Sequence, residues 1–143
     1  MKYTIVTVGK LNLGFARIGF EEYIKRLGGF CNVKVINLKE IGSDRQIHEL
    51  MRKKYSIVLD EHGKEFDSKS FAEFLDSKKN EGISDINFFV GGPNGHSDEI
   101  IRNADLLWSL SKLTFPHDIA SMLLSEALYR ASTISAGHPY HRE

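Results

Sequence analysis

The chain has 143 residues and a mass of 16.2 kDa, which fits one domain spanning 1–143 and leaves two cramped. Apolar residues make up 41% and charged residues 27%, a globular balance that excludes a disordered, collagenous or low-complexity chain. The formal net charge is zero, with 19 Lys+Arg against 19 Asp+Glu, which by itself speaks against a polyanion binder.

Strand and helix signals alternate along the chain. Residues 2–8 are a β-rich run that Gly9 ends. Over 15–27, Ala16, Phe20, Tyr23, Ile24 and Leu27 recur at helical spacing, and Gly28-Gly29 stops the helix. Val33, Val35 and Ile36 mark a second strand, and 44–54 a short helix with Ile47, Leu50 and Met51 on one side. An apolar strand over 55–59 ends at Asp60, and a helix over 68–79 turns Phe71, Phe74 and Leu75 inward. The apolar run 86–90 stops at Gly91-Gly92-Pro93; a short helix over 97–103 and a strand over 106–110 follow. The longest helix runs from His117 to Ser135, with Pro116 at its start and Gly137 at its end. This alternation predicts an α/β fold, a single domain with a mainly parallel sheet flanked by helices. Runs such as Ile57-Val58-Leu59 and Phe88-Phe89-Val90 suit strands covered on both faces.

No apolar run is long enough to span a bilayer, and the opening strand lacks the pattern of a signal peptide. One cysteine, Cys31, suits a reducing cytoplasm and reads as a plain buried thiol. The charge is unevenly spread. Residues 1–54 carry 11 basic and 5 acidic side chains, a net of +6, and residues 55–143 carry the compensating −6. Such a split predicts a basic face for a polyanion on an otherwise acidic molecule.

Three stretches could carry chemistry. The first is Phe88-Phe89-Val90-Gly91-Gly92-Pro93-Asn94-Gly95, where a buried strand enters a glycine-rich turn. Ligands of open parallel sheets bind at such strand ends, and glycines admit them close to the backbone. The turn is neither a dinucleotide fingerprint nor a Walker loop, so it suits an uncharged nucleoside better than a phosphate. Its plainer alternative is a tight turn needing positive φ at Gly92 or Gly95. The second stretch is Trp108 to His117, whose hydroxyls and helix start offer hydrogen-bond donors, or simply capping. The third is the tail His138-Pro139-Tyr140-His141-Arg142-Glu143, crowded with aromatic and ionisable groups. His138 and His141 lack further ligands at metal-site spacing, so no metal is expected. Glu126 and Arg130, at i and i+4, read as a helical ion pair, and Asp60-Glu61 as an acidic turn.

Together these stretches resemble the SPOUT class of methyltransferases, and within it the ribosomal RNA large subunit methyltransferase H family. The carrying residues are Val58-Leu59-Asp60 with Gly63-Lys64, Phe89 to Gly95, Trp108 to His117, Leu124 to Arg130, and the terminal hexapeptide. The resemblance covers essentially the whole chain. It implies a C-terminal deep trefoil knot, which no periodicity argument would propose, and a homodimer with its active site at the subunit interface. Met122, Leu124 and Ile134 broaden the stripe of the last helix in keeping with a second apolar face for the partner copy, although a thick core would do the same.

The resemblance also implies the cofactor S-adenosyl-L-methionine, held by Leu59, Gly91, Gly92, Ser111, Lys112, Leu113, Thr114, Phe115 and Pro116. It places catalysis in the tail, with Tyr140 and Arg142 orienting the substrate and His138 or His141 as candidate proton acceptors. The implied reaction methylates N3 of a pseudouridine in 23S rRNA within the assembled ribosome. Basic residues of the first 54, among them Lys10, Arg17, Lys25, Arg26, Arg45, Arg52, Lys53 and Lys54, would contact phosphates. Two alternatives remain: a SPOUT enzyme acting on another RNA such as tRNA, and a non-catalytic ribosome-binding protein.

Overall fold

The structure, a computed structural model, describes residues 1–142; Glu143 of the tail motif lies outside the described residues. The elements in chain order are β1 (Lys2–Val8), α1 (Gly14–Leu27), β2 (Asn32–Leu38), α2 (Ser43–Met51), β3 (Tyr55–Glu65), α3 (Ser68–Asn80), β4 (Asp85–Phe89), α4 (Asp98–Asn103), β5 (Leu106–Ser109) and α5 (His117–Ser135). The strands form one sheet in the order β2-β1-β4-β3-β5, with every pairing parallel. Ile5 pairs with Val35 on one side and Phe88 on the other, and Phe88 in turn with Ile57. The expected α/β architecture is therefore present.

Both faces of the sheet are covered, as the continuous apolar runs require. Tyr3, Ile5, Ile57, Ile86 and Phe88 pack under α1, α3 and α5. Val6, Val8, Val58 and Phe89 face the other way, toward Ile47 of α2 and Ile100 of α4. Successive crossover helices alternate between these faces. At the carboxyl edge, β1 leads to α1 on one face and β4 to α4 on the other, so a crevice opens between the two strand ends. α3 begins with a reciprocal capping box, Asp67 accepting from Ser70 N at 2.7 Å while Ser70 Oγ accepts from Asp67 N at 3.1 Å.

Two sequence expectations change. Strand β3 does not stop at Asp60 but continues to Glu65, with an irregularity between Leu59 and Lys64, both of which register with Trp108 of β5. The polar run Asp60-Glu61-His62-Gly63-Lys64-Glu65 looks like a loop, but it returns to β5 past the irregularity, where Lys64 and Glu65 pair with Trp108 and Ser109. Gly63 makes this possible, because a Cβ there would sit 2.6 Å from the carbonyl carbon and oxygen of Leu107. Leu124 does not broaden a free face of α5: it is fully buried within the chain, and Met122 and Ile134 pack at the edge of the same core. α5 spends these residues on α1 and α3, on two flanks. Exposed apolar side chains lie elsewhere, among them Phe15 and Ile18 of α1, just over 60% accessible, and Leu113 at 69%.

Candidate active site

A cleft of about 760 Å³ opens at the carboxyl ends of β3, β4 and β5, within the size range of small-molecule sites. Leu59 and Val90 form its base; Gly91 and Gly92 form one side, and Leu110, Ser111, Leu113, Thr114, Phe115 and Pro116 form the other. Of the nine expected cofactor residues, eight line this cleft. Lys112 does not. Its side chain is 87% exposed and reaches outward, with Nζ 3.9 Å from a Glu65 carboxylate oxygen.

Local chemistry shapes each wall. Gly95 carries the positive φ of the glycine turn, at 68°, and Gly92 does not. Gly92 is needed for space, since a Cβ there would lie 3.1 Å from Val8 Cγ1. The opposing loop is held by its own hydroxyls: Ser109 Oγ donates to Ser111 O at 2.8 Å, and Leu113 N donates to Ser111 Oγ at 3.0 Å. Thr114 Oγ1 donates to Glu61 Oε2 at 2.6 Å, linking this loop to the extension of β3.

The start of α5 is fixed by Asp118, which is buried. Its Oδ2 accepts from the backbone N–H of Asn12 at 2.6 Å and of Leu13 at 2.7 Å. Its Oδ1 lies 2.8 Å from His117 Nε2, which is also 3.1 Å from the carbonyl oxygen of Lys10. Both neighbours of Nε2 can only accept, so Nε2 carries the proton. A carboxylate in the first turn is further favoured by the helix dipole. The loops after β1 and after β5 are thereby joined at the mouth of the cleft.

Eleven lining residues stand outside the expected cofactor set, and four of them are ionisable: Asp60, Glu61, His96 and His117. Asp60 and Glu61 read as an acidic turn because nothing local shows that the strand continues. His96 Nε2 lies 3.3 Å from Phe89 O. Burial lowers its pKa below the ordinary histidine value, against the opposing pull of that carbonyl and of Asp60 and Asp44. It is neutral at pH 7. Cys31, far from the cleft, is pushed up to about 11 by burial and is an inert thiol.

The cleft fits a neutral nucleoside carrying a cationic sulfur. Leu59, Leu110 and Phe115 offer apolar walls for a base. The Gly91–Gly92 side brings backbone close without a Cβ, and the Asp60 and Glu61 carboxylates suit a positive centre. No cationic phosphate cradle is present among the lining residues.

The tail lies elsewhere. Tyr140 Oη donates to Glu126 Oε1 at 3.2 Å, and its ring sits under the Arg130 guanidinium, 4.7 Å from Cζ. Arg130 Nε is 2.8 Å from Glu126 Oε1, and Nη1 is 3.0 Å from His141 Nδ1. Arginine can only donate, so His141 Nδ1 accepts. His138 Nδ1 likewise accepts, from the backbone N–H of Tyr140 at 3.2 Å, and its ring stands edge-on to Phe30. Tyr140 is pushed up to about 12, by burial first and then by Tyr23 and Glu126, so its phenol stays protonated. Arg142 is exposed. The Glu126–Arg130 pair, legible only as a helical ion pair, is thus the anchor of the tail. None of His138, Tyr140, His141 and Arg142 lines the cleft. Along α5, Glu126 is about 14 Å from His117 at 1.5 Å per residue. Among the described residues no cluster of three or more His, Cys, Asp or Glu could hold a metal.

Residues 1–141 match the family described as "Predicted SPOUT methyltransferase". The chain belongs to the SPOUT methyltransferase family. Its relatives include proteins named Ribosomal RNA large subunit methyltransferase H. The one from Deinococcus deserti is 41% identical, over 99% of this chain and all of the relative. The one from Deinococcus radiodurans is 43% identical over 99% of each. Solved structures share the fold at far lower identity. A probable methylase family protein from Haemophilus influenzae has a TM-score of 0.59 at 10% identity, covering 99% of this chain and 70% of the other. A putative methyltransferase from Legionella pneumophila, solved with bound SAM, has a TM-score of 0.50 at 11% identity over 90% of this chain and 65% of the other.

Proposed function

We propose that this SPOUT protein transfers the methyl group of S-adenosylmethionine to N3 of a pseudouridine in 23S rRNA, in the cytoplasm and on the assembled ribosome. The observation that carries this reading is the match at 41% and 43% identity to the two Deinococcus proteins, which runs through cleft and tail alike. In this reading the C-terminal part forms a deep trefoil knot, and the enzyme is a homodimer.

When bound, the donor supplies a methyl on a sulfonium centre, already a strong electrophile, so the protein's task is to bind, orient and activate the acceptor. Leu59, Leu113 and Phe115 hold the adenine. Backbone groups of Gly91, Gly92 and the loop Ser111–Pro116 hydrogen-bond its edge and the ribose. Lys112, directed outward, contributes its backbone only.

N3 of the base is an imide nitrogen that must lose its proton as the new N–C bond forms. Tyr140 is held protonated, and both tail histidines have Nδ1 engaged as an acceptor. The tail therefore supplies donors and cations rather than a free base. Arg142 stabilises the negative charge that develops on the base, Tyr140 orients it, and the proton passes to solvent. Within one chain the tail and the cleft are apart, and a second copy brings its tail over this cleft. The exposed Leu13, Phe15, Ile18 and Leu113 support such an interface.

The test is transfer of labelled methyl from S-adenosylmethionine to ribosomes lacking the modification, with free 23S rRNA and tRNA alongside and the labelled nucleoside identified by mass. Label on a ribosomal pseudouridine, abolished by Arg142→Ala with donor binding intact, is the expected result. Label only on tRNA would move the substrate, and none anywhere from a donor-binding dimer would overturn the enzyme reading. Sedimentation gives the oligomeric state.

A further inference from the structure

A second cleft, of about 590 Å³, runs along α1 beside the edge strand β2. It exists because β2 pairs only with β1, while α1 covers β1 and leaves Val35 of β2 39% exposed. Val35, Leu11 and Ile24 give it an apolar floor, and Lys10, Arg17 and Lys25 stand along its rim with one carboxylate, Glu21. Among the described residues none of these three cations is in an ion pair. Three unpaired cations over an apolar floor leave the groove with a net positive charge. They account for part of the +6 carried by residues 1–54.

The groove is tied to the donor cleft through one loop. Asn37 Nδ2 donates to Thr7 Oγ1 at 2.8 Å and to Gly9 O at 2.6 Å, closing the groove at the end of β1. The next residue, Lys10, accepts from His117 on the donor side at 3.1 Å. The loop after β1 is therefore a shared wall. Arg17 and Lys25 stand about 12 Å apart along α1 at 1.5 Å per residue, so the rim extends away from the cleft mouth. Phe15 projects roughly 160° round α1 from Arg17 at 100° per residue, whereas Ile18, seven residues before Lys25, shares the flank of Lys25 two turns away.

The geometry points to this groove as the site that holds the single-stranded RNA flanking the target nucleotide. Lys10, Arg17 and Lys25 take phosphates, and the apolar floor takes base or ribose faces. An apolar floor needs bases free of a duplex, where their faces are stacked away. This inference rests on the proposed rRNA methyltransfer and adds the route by which the RNA reaches the cleft.

The test is the salt dependence of binding to unmodified ribosomes. The double variant Arg17→Gln/Lys25→Gln is compared with the wild type and with Lys69→Gln/Lys79→Gln, which makes the same charge change on α3. All three are first titrated with S-adenosylmethionine. The groove variant keeps wild-type donor affinity and binds ribosomes on the order of tenfold more weakly at low salt. Its slope of log K against log salt is smaller by about 1.4, at ~0.7 per lost phosphate contact. The α3 variant keeps the wild-type slope. An unchanged slope in the groove variant, or an equal loss in the α3 variant, overturns the groove. Failure of the rRNA reading itself shows separately, as absence of methyl transfer by the wild type.

Discussion

Asp118 is the residue on which the cleft mouth depends most, and its removal gives the sharpest test. The side chain is 3% exposed and accepts two backbone N–H groups at 2.6 and 2.7 Å. Hydrogen bonds to a charged acceptor contribute about 1.5–3 kcal/mol each. Asp118→Ala removes both, but Asn12 and Leu13 are exposed, and water recovers part of the loss. A net cost of about 3 kcal/mol results. For a chain of this length the unfolding entropy is about 0.3 kcal/mol/K, so each 1 kcal/mol lowers Tm by about 3 °C and the expected fall is about 10 °C. Asp118→Asn keeps an oxygen for the two N–H groups but turns an amide donor toward the His117 N–H. It falls about half as far. The same variants weaken donor binding, because the loop Ser111–Pro116 ends where Asp118 is anchored. Calorimetric melting with a parallel donor titration reads both effects. A Tm for Asp118→Ala within about 2 °C of wild type would refute the reasoning.

Gly63→Ala forces a Cβ to within 2.6 Å of the Leu107 carbonyl; the overpacking costs about 2 kcal/mol, and melting curves together with a weaker donor titration report it. Tyr140→Phe removes the hydrogen bond to Glu126; methyl transfer to ribosomes drops roughly tenfold, the equivalent of about 1.4 kcal/mol, while donor affinity stays unchanged. His96 has a folded-state pKa below its unfolded value, so below the unfolded value the unfolded chain binds more protons. Stability is then lost as the pH falls through about 6.5. Urea titrations across that range show the loss in the wild type and a flatter profile in His96→Asn, and identical profiles would contradict the assignment.

The α/β alternation was legible in the sequence, because apolar runs of strand length and helical spacing are local properties. The sequence also located the cleft loops. Gly91-Gly92-Pro93-Asn94-Gly95 sits where a buried strand must end, and Ser111 and Thr114 lie between a strand and a helix whose boundaries were readable. The tail was conspicuous through its composition alone, and the cofactor and target came from resemblance rather than from any periodicity.

Features that depend on contacts between distant residues emerged only in the fold. The extension of β3 past Asp60 and Glu61 is held by the pairing of Lys64 and Glu65 with β5, and a polar segment carries no local sign of such a partner. Leu124 looked free for a partner copy, yet it is consumed inside the chain because α5 lies between two helices. Lys112 lies in the binding loop, but its side chain points outward. The joining of Asp118 to residues more than a hundred positions earlier, and the separation of tail from cleft, are likewise set by packing. Local sequence specifies which elements form; only the sheet order and the burial that follows from it specify which side chains meet.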